Sequence, residues 1–126
     1  MSVDEISLTL PADNAFHGVA HLVLGGLAVR LDLTFEHLED LELALDALLE
    51  RTTADEGVTV RVRVLDGELK TSVGPFTAVR KELESNEQLN LARILSTVCD
   101  QVDVTDRDGS EWVELTKRIE TRKDAA

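Results

Sequence analysis

From Val58 to Leu65 the chain reads VTVRVRVL. Side chains on an extended strand alternate with a period of two, so Val58, Val60, Val62 and Val64 share one side while Thr59, Arg61 and Arg63 share the other. A strand buried on both faces would not carry two arginines. The stretch therefore calls for a sheet with one covered face and one open face. Asp66-Gly67 follows, a pair suited to the left-handed backbone of a tight hairpin turn, and predicts that 58–65 pairs with a strand at 68–73. Gly74-Pro75 is expected to end that second strand, because proline cannot donate to the ladder.

The remaining elements are arranged around this hairpin. Residues 5–10 (EISLTL) alternate and predict a short strand that stops at Pro11. Asp13 or Asn14 can cap a first helix, along which Phe16, Val19, Ala20, Val23, Leu27 and Leu31 recur at helical spacing. Gly25-Gly26 lies inside that helix and suggests close packing, a bend or a break. Thr34 caps a second helix over 35–52, whose buried stripe is Leu38, Leu41, Leu45, Leu48 and Leu49, with Ala47 and Arg51 turned away from the leucine seam. Helical pattern returns over 77–84 and 87–99. A strand at 100–105 and one over WVELTKRI follow, the latter with Val113 and Leu115 inward. Asp108-Gly109 forms the turn between them, within a polar stretch from Asp106, and residues 120–126 form a frayed tail. The order β-α-α-β-β-α-β-β predicts an α+β fold, a two-layer sandwich with a mixed, mostly antiparallel sheet and helices on one face, in one domain spanning 1–126.

Composition narrows the function. With 126 residues, 43% of them hydrophobic but only Phe16, Phe35, Phe76 and Trp112 aromatic, the core is built from Leu, Val, Ile and Ala. The net charge of −12 argues against phosphate-contacting nucleic-acid binding and against anionic membranes, and leaves room for a basic protein partner. Cys99 is the one cysteine, which excludes an internal disulfide and a multi-cysteine zinc site; its apolar setting predicts a small buried hydrophobe. The opening MSVDEISLTL lacks a signal-peptide core, and no run of 18 apolar residues exists, so a cytoplasmic protein is expected.

Three surface features are candidates for function. His17 and His21 stand at i, i+4, a metal-ligand spacing, but zinc needs a third protein ligand and none accompanies them, so half-buried or exposed histidines are the simpler expectation and no metal is assigned. Glu39, Glu42, Asp46 and Glu50 make an acidic stripe on the second helix; like charges at this spacing repel, so either it is a solvated face or it docks a basic partner. Arg61, Arg63 and Trp112 fall on the open face of the sheet. They can contact a partner, or the tryptophan can simply lie over an arginine stem. No serine has a His and Asp in a recognisable nucleophile context.

The order of these elements, with LTLPADNAF, EDLELALDALLER and ILSTVCDQVDVTDRDGSEWVELTKRI, resembles the anti-sigma regulatory factors of the SpoIIAB/RsbW type, within the GHKL superfamily of Bergerat-fold, histidine kinase-like ATPases. The resemblance covers about Leu8 to Ile119. It implies ATP binding, serine-kinase activity, a homodimer, and partners such as a sigma factor, a STAS-domain antagonist or a paralogue. It also exposes departures. The family's general-base Glu falls on Ala47, and its Mg²⁺-holding Asn falls on Arg51, a permanent cation with no lone pair to offer. The family's D-x-G-x-G motif falls on TSVGPFT, where only Gly74 remains. The phosphate-cradling glycine lid falls on NEQLNLARIL, and no glycine occurs between Pro75 and Asp108. Glu42 with Asp46, or Glu50, are alternative acids under a shifted register, but neither restores the other motifs. The sequence thus points to a degenerate, pseudokinase-like regulator without a cofactor, acting by protein binding, with Ala47, Arg51 and Gly74 as vestigial nucleotide positions. An active kinase with an atypical site, with Arg51 on phosphate, is the alternative. A sensor with an apolar pocket beside Ala47 is a third.

Overall fold

The computed structural model of the chain describes residues 5–11, 14–31, 33–50, 57–84 and 91–119. Strand β1 (Glu5–Leu10) leads through a short 3-10 turn at Asn14–Phe16 into α1 (His17–Leu31), followed by α2 (Phe35–Leu49). The hairpin β2 (Val58–Leu65) and β3 (Glu68–Phe76) comes next, then α3 (Val79–Leu83), α4 (Leu91–Val98), β4 (Gln101–Arg107) and β5 (Ser110–Arg118).

The five strands form one sheet in the order β1-β2-β3-β5-β4. Every pairing described is antiparallel. The α+β sandwich is as the sequence predicts, without the parallel pair that a mixed sheet would contain. Parallel neighbours require a crossover between adjacent strands. Here two neighbouring pairs, β2-β3 and β4-β5, are joined by two-residue turns. Asp66 and Gly67 take φ of 52° and 75°, and Asp108 and Gly109 take 52° and 80°, as a hairpin turn that matches the right-handed strand twist requires.

The valine side of β2 faces the core. Val58, Val60 and Val62 are buried with Leu69 and Val73 of β3 and Val113 and Leu115 of β5, beneath Leu24 and Leu27 of α1, Leu41, Leu45 and Leu48 of α2, and Leu91 and Leu95 of α4. Packing under α1 is close. The cavity between it and β1–β2, lined by residues such as Ile6, Leu8, Ala20 and Val60, holds about 10 Å³, less than a water needs. Thr34 caps α2 by accepting a hydrogen bond from the His37 N–H at 3.1 Å, a contact typically worth about 1 kcal/mol.

Three elements differ from expectation. β3 does not stop at Gly74-Pro75 but continues to Phe76. Its register against β5 slips between Val73 and Phe76, which accommodates the missing proline N–H as an irregularity instead of a chain end. β4 runs to Arg107, so Asp106 and Arg107 are strand residues and only Asp108-Gly109 turns. In α1 the inward side is Ala20, Leu24, Leu27 and Ala28, whereas Val19, and Phe16 in the turn before it, are exposed. This helix is apolar on nearly all sides, so spacing alone did not identify which side is covered. Gly25-Gly26 neither breaks nor closely packs it: a Cβ on either would meet nothing within 4 Å.

Candidate functional site

The helix that the resemblance makes catalytic is α2. Ala47 is only 7% exposed and belongs to the hydrophobic core, contrary to its expected position away from the leucine seam. It follows Leu45 by two residues and precedes Leu48 and Leu49, and the covered arc is wide enough to include it because α1 and α4 both lie against α2. It cannot move a proton. Arg51 lies outside the described residues. Gly74 is buried against Trp112. A Cβ placed there would come within 2.5 Å of the Trp112 ring, so the glycine is the seat on which the indole rests across the β3–β5 pair. Of the three vestigial positions, the two described ones thus serve packing. Among the described residues, the cavities beside α1, beside α4 and on the open sheet face are lined by side chains other than Ala47.

The acidic stripe of α2 is partly occupied from within the chain. His21, reaching across from α1, has Nδ1 3.1 Å from Glu42 Oε2 and Nε2 2.7 Å from Asp46 Oδ1. Two i, i+4 patterns, one per helix, meet there. His17, Gly18, His21, Asp46 and Glu50 line an open cavity of about 340 Å³ beside it. Glu39 and Glu50 are exposed. Among the described residues no group of three or more His, Cys, Asp or Glu side chains is placed to hold a metal ion.

On the open face of the sheet, Arg61, Arg63, Lys70 and Arg107 gather with Glu5 and Glu114 around a shallow cavity of about 100 Å³. Arg61 pairs with Glu5 at 3.5 Å and Arg107 with Glu114 at 3.4 Å. The Arg107 guanidinium carbon lies 5.3 Å from the centre of the Trp112 ring, a cation–π distance. Trp112 therefore packs against Gly74 and lies beside the Arg107 guanidinium.

Sequence reasoning missed two polar clamps. Lys117, its side chain 14% exposed, bonds Asp40 Oδ2 of α2 at 2.8 Å and the Val98 carbonyl at 2.9 Å, tying sheet to helices. The alternation of β5 does place Lys117 inward, beside Val113 and Leu115, and that was the available signal. Arg80 reaches Asp106 at 3.3 Å and Glu111 at 3.6 Å; its hydrogen bond to Asp106 raises its pKa further. Near the end of α4, Cys99 borders a cavity of about 420 Å³ with Leu83, Ala92, Ser96 and Val102. Burial pushes its thiol up to about 11, so it is a poor nucleophile at neutral pH. It is half-buried, less covered than expected.

The sandwich of an antiparallel five-stranded sheet under α1, α2 and α4 has a counterpart among solved structures. A solved structure described as the RsbU and RsbW domains of a Mycobacterium tuberculosis protein superposes with a TM-score of 0.71 at 17% identity, over 92% of this chain and 32% of that one; the chain thus spans about a third of that longer protein. No family model matches the chain. In sequence it is similar to the serine-protein kinase RsbW of Bacillus velezensis, 26% identical over 141 residues, covering 94% of this chain and 88% of that protein. The resemblance to RsbW-type regulators thus holds in sequence and in fold. No described helix is long and apolar enough to cross a membrane.

Proposed function

We propose that this chain is a catalytically degenerate, RsbW-like regulatory protein of the cytoplasm. It acts by binding protein in transcriptional partner switching, with a sigma factor, a STAS-domain antagonist or a paralogue as partner, and does so as a homodimer. The observation that carries the reading is Ala47. Where the resemblance puts a proton-transferring glutamate, the chain has a methyl group packed into its hydrophobic core. The role of Gly74 as the seat of Trp112 supports it, because the glycine has a structural reason to persist without nucleotide. The absence of glycine from Pro75 to Asp108 supports it too: a phosphate-cradling lid needs backbone that side chains do not shield.

Contact surfaces follow from the site. The acidic side of α2, with Glu39 and Glu50 at its exposed ends and Glu42 and Asp46 drawn to His21, suits a basic helix. The open sheet face, with Arg61, Arg63 and Trp112 among paired charges, offers a second surface. The second functional reading, an ATP-dependent serine kinase, is favoured by the similarity to a protein named as one. The deciding experiment incubates the purified chain with radiolabelled ATP, Mg²⁺ and candidate STAS-domain proteins, alongside a pull-down of the same proteins and of sigma factors. Retained capture without label on serine is expected. Label transfer would establish the kinase instead. Glu39→Lys with Glu50→Lys should abolish capture if α2 docks; Arg61→Glu with Arg63→Glu should do so if the sheet face docks.

A further inference from the structure

Strand β4 ends the sheet. β5 pairs with one of its sides, and no described strand covers the other. The two-residue turn at Asp108-Gly109 makes Arg107 and Ser110 the closing pair of the hairpin. Hydrogen-bonded pairs recur at every second residue from there. Gln101, Asp103, Thr105 and Arg107 therefore turn their backbone groups to β5, and Val102, Val104 and Asp106 turn theirs outward.

The second half of this edge is guarded. Arg80 of α3 holds Nη2 3.5 Å from the Val104 carbonyl oxygen and 3.3 Å from Asp106 Oδ2, and its backbone N–H donates to Glu111 Oε1 at 2.9 Å. The first half has no such guard. Among the described residues, the N–H and C=O of Val102 and the N–H of Val104 meet no hydrogen-bond partner. An open edge of this kind is a template for another strand.

A groove lies beside the unguarded half. The cavity of about 420 Å³ at Cys99 is bounded by Val102 on the strand side and by Leu83, Ala92 and Ser96 on the helix side. Residues opposite one another in a ladder point their side chains to the same face. Val102 points toward the helix layer, where it packs on the core. A residue added opposite Val102 would thus send its side chain into the groove.

Charge selects the occupant. Asp106 is met by Arg80, whereas Asp100 and Asp103 are exposed and, among the described residues, form no ion pair. A second copy of this chain would bring the same carboxylates, and a charge of −12, against them. A basic segment neutralises them.

We propose that residues 101–104 take up an extended, basic segment of a partner protein as a sixth, antiparallel strand, with an apolar side chain of that segment in the groove beside Cys99. This rests on the protein-binding reading above and adds a surface distinct from α2 and the open sheet face. Strand addition draws affinity from main-chain hydrogen bonds and specificity from the pocket for alternate side chains. The probe is a fluorescent seven-residue peptide of alternating lysine and threonine with leucine at its centre, titrated with the full chain and read by anisotropy. Saturable binding is expected. N-methylation of the leucine, whose N–H faces Val102, should weaken it about tenfold, the worth of one hydrogen bond. N-methylation of the next lysine, whose N–H faces away, should change the affinity less than about twofold. Asp103→Lys should weaken binding about tenfold by reversing the charge beside the strand. Val102→Pro removes only an outward N–H, so it should fold, as circular dichroism would verify, and abolish binding. Equal weakening by the two methylations would overturn strand addition. So would binding that survives Asp103→Lys but is lost in Glu39→Lys with Glu50→Lys, because the peptide would then sit on α2. Either result leaves the protein-binding reading standing, which fails instead if the pull-down above captures nothing.

Discussion

Gly74 has a structural role that its motif alone does not reveal. As part of TSVGPFT it looks like the remnant of a nucleotide loop; in the fold it is the floor under Trp112. Gly74→Ala is expected to destabilise the protein by about 1–3 kcal/mol, the usual range for forcing a methyl into filled space. In a Trp112→Val background the same substitution should cost clearly less, which a double-mutant cycle by urea denaturation would register; equal costs would remove the indole from the explanation. Cys99 carries a pH dependence. Burial raises its folded thiol to about 11 from the ordinary 9.0, so the folded state favours the protonated form. That contribution is fully present below pH 9 and is lost as pH rises toward 11, because the unfolded chain ionises first. At pH 8 the folded thiolate population, and with it the rate of alkylation, should be about one hundredth of that in the urea-unfolded chain.

Element by element, legibility followed pattern strength. The β2–β3 hairpin was readable almost residue by residue, since alternation fixes the face and Asp66-Gly67 fixes the turn. α2 was readable from Thr34 and its leucines. What escaped were features that depend on a second element: Trp112 against Gly74, His21 between Glu42 and Asp46, Lys117 beneath α2 and α4. Single-sequence periodicity carries no information about which strand or helix lies opposite. α1 was misassigned for another reason, since an apolar residue on every side leaves no contrast to read. The burial of Ala47 makes a prediction at this scale. Ala47→Glu restores the family's residue type, yet it places a carboxylate among Ala44, Leu48 and their neighbours. It should therefore lower stability by about 3 kcal/mol, read from the urea midpoint, and confer no ATP hydrolysis. A stable, ATP-hydrolysing Ala47→Glu protein would show that the rest of a nucleotide site is intact.

At the scale of the whole molecule, the chain is a sandwich of one antiparallel sheet and a layer of helices. The helix that the resemblance makes catalytic carries Ala47 in the core, and charge is divided between an acidic α2 and an open sheet face where arginines pair with Glu5 and Glu114. α1 keeps an apolar side, with Leu22 and Val29, exposed among the described residues. The distribution suits a protein whose work is done by surfaces. The central claim is the loss of nucleotide chemistry, and calorimetric titration of the purified protein with ATP and Mg²⁺ tests it most directly. The account predicts no saturable heat up to millimolar nucleotide. Saturable binding in the micromolar range would contradict it and restore the kinase reading.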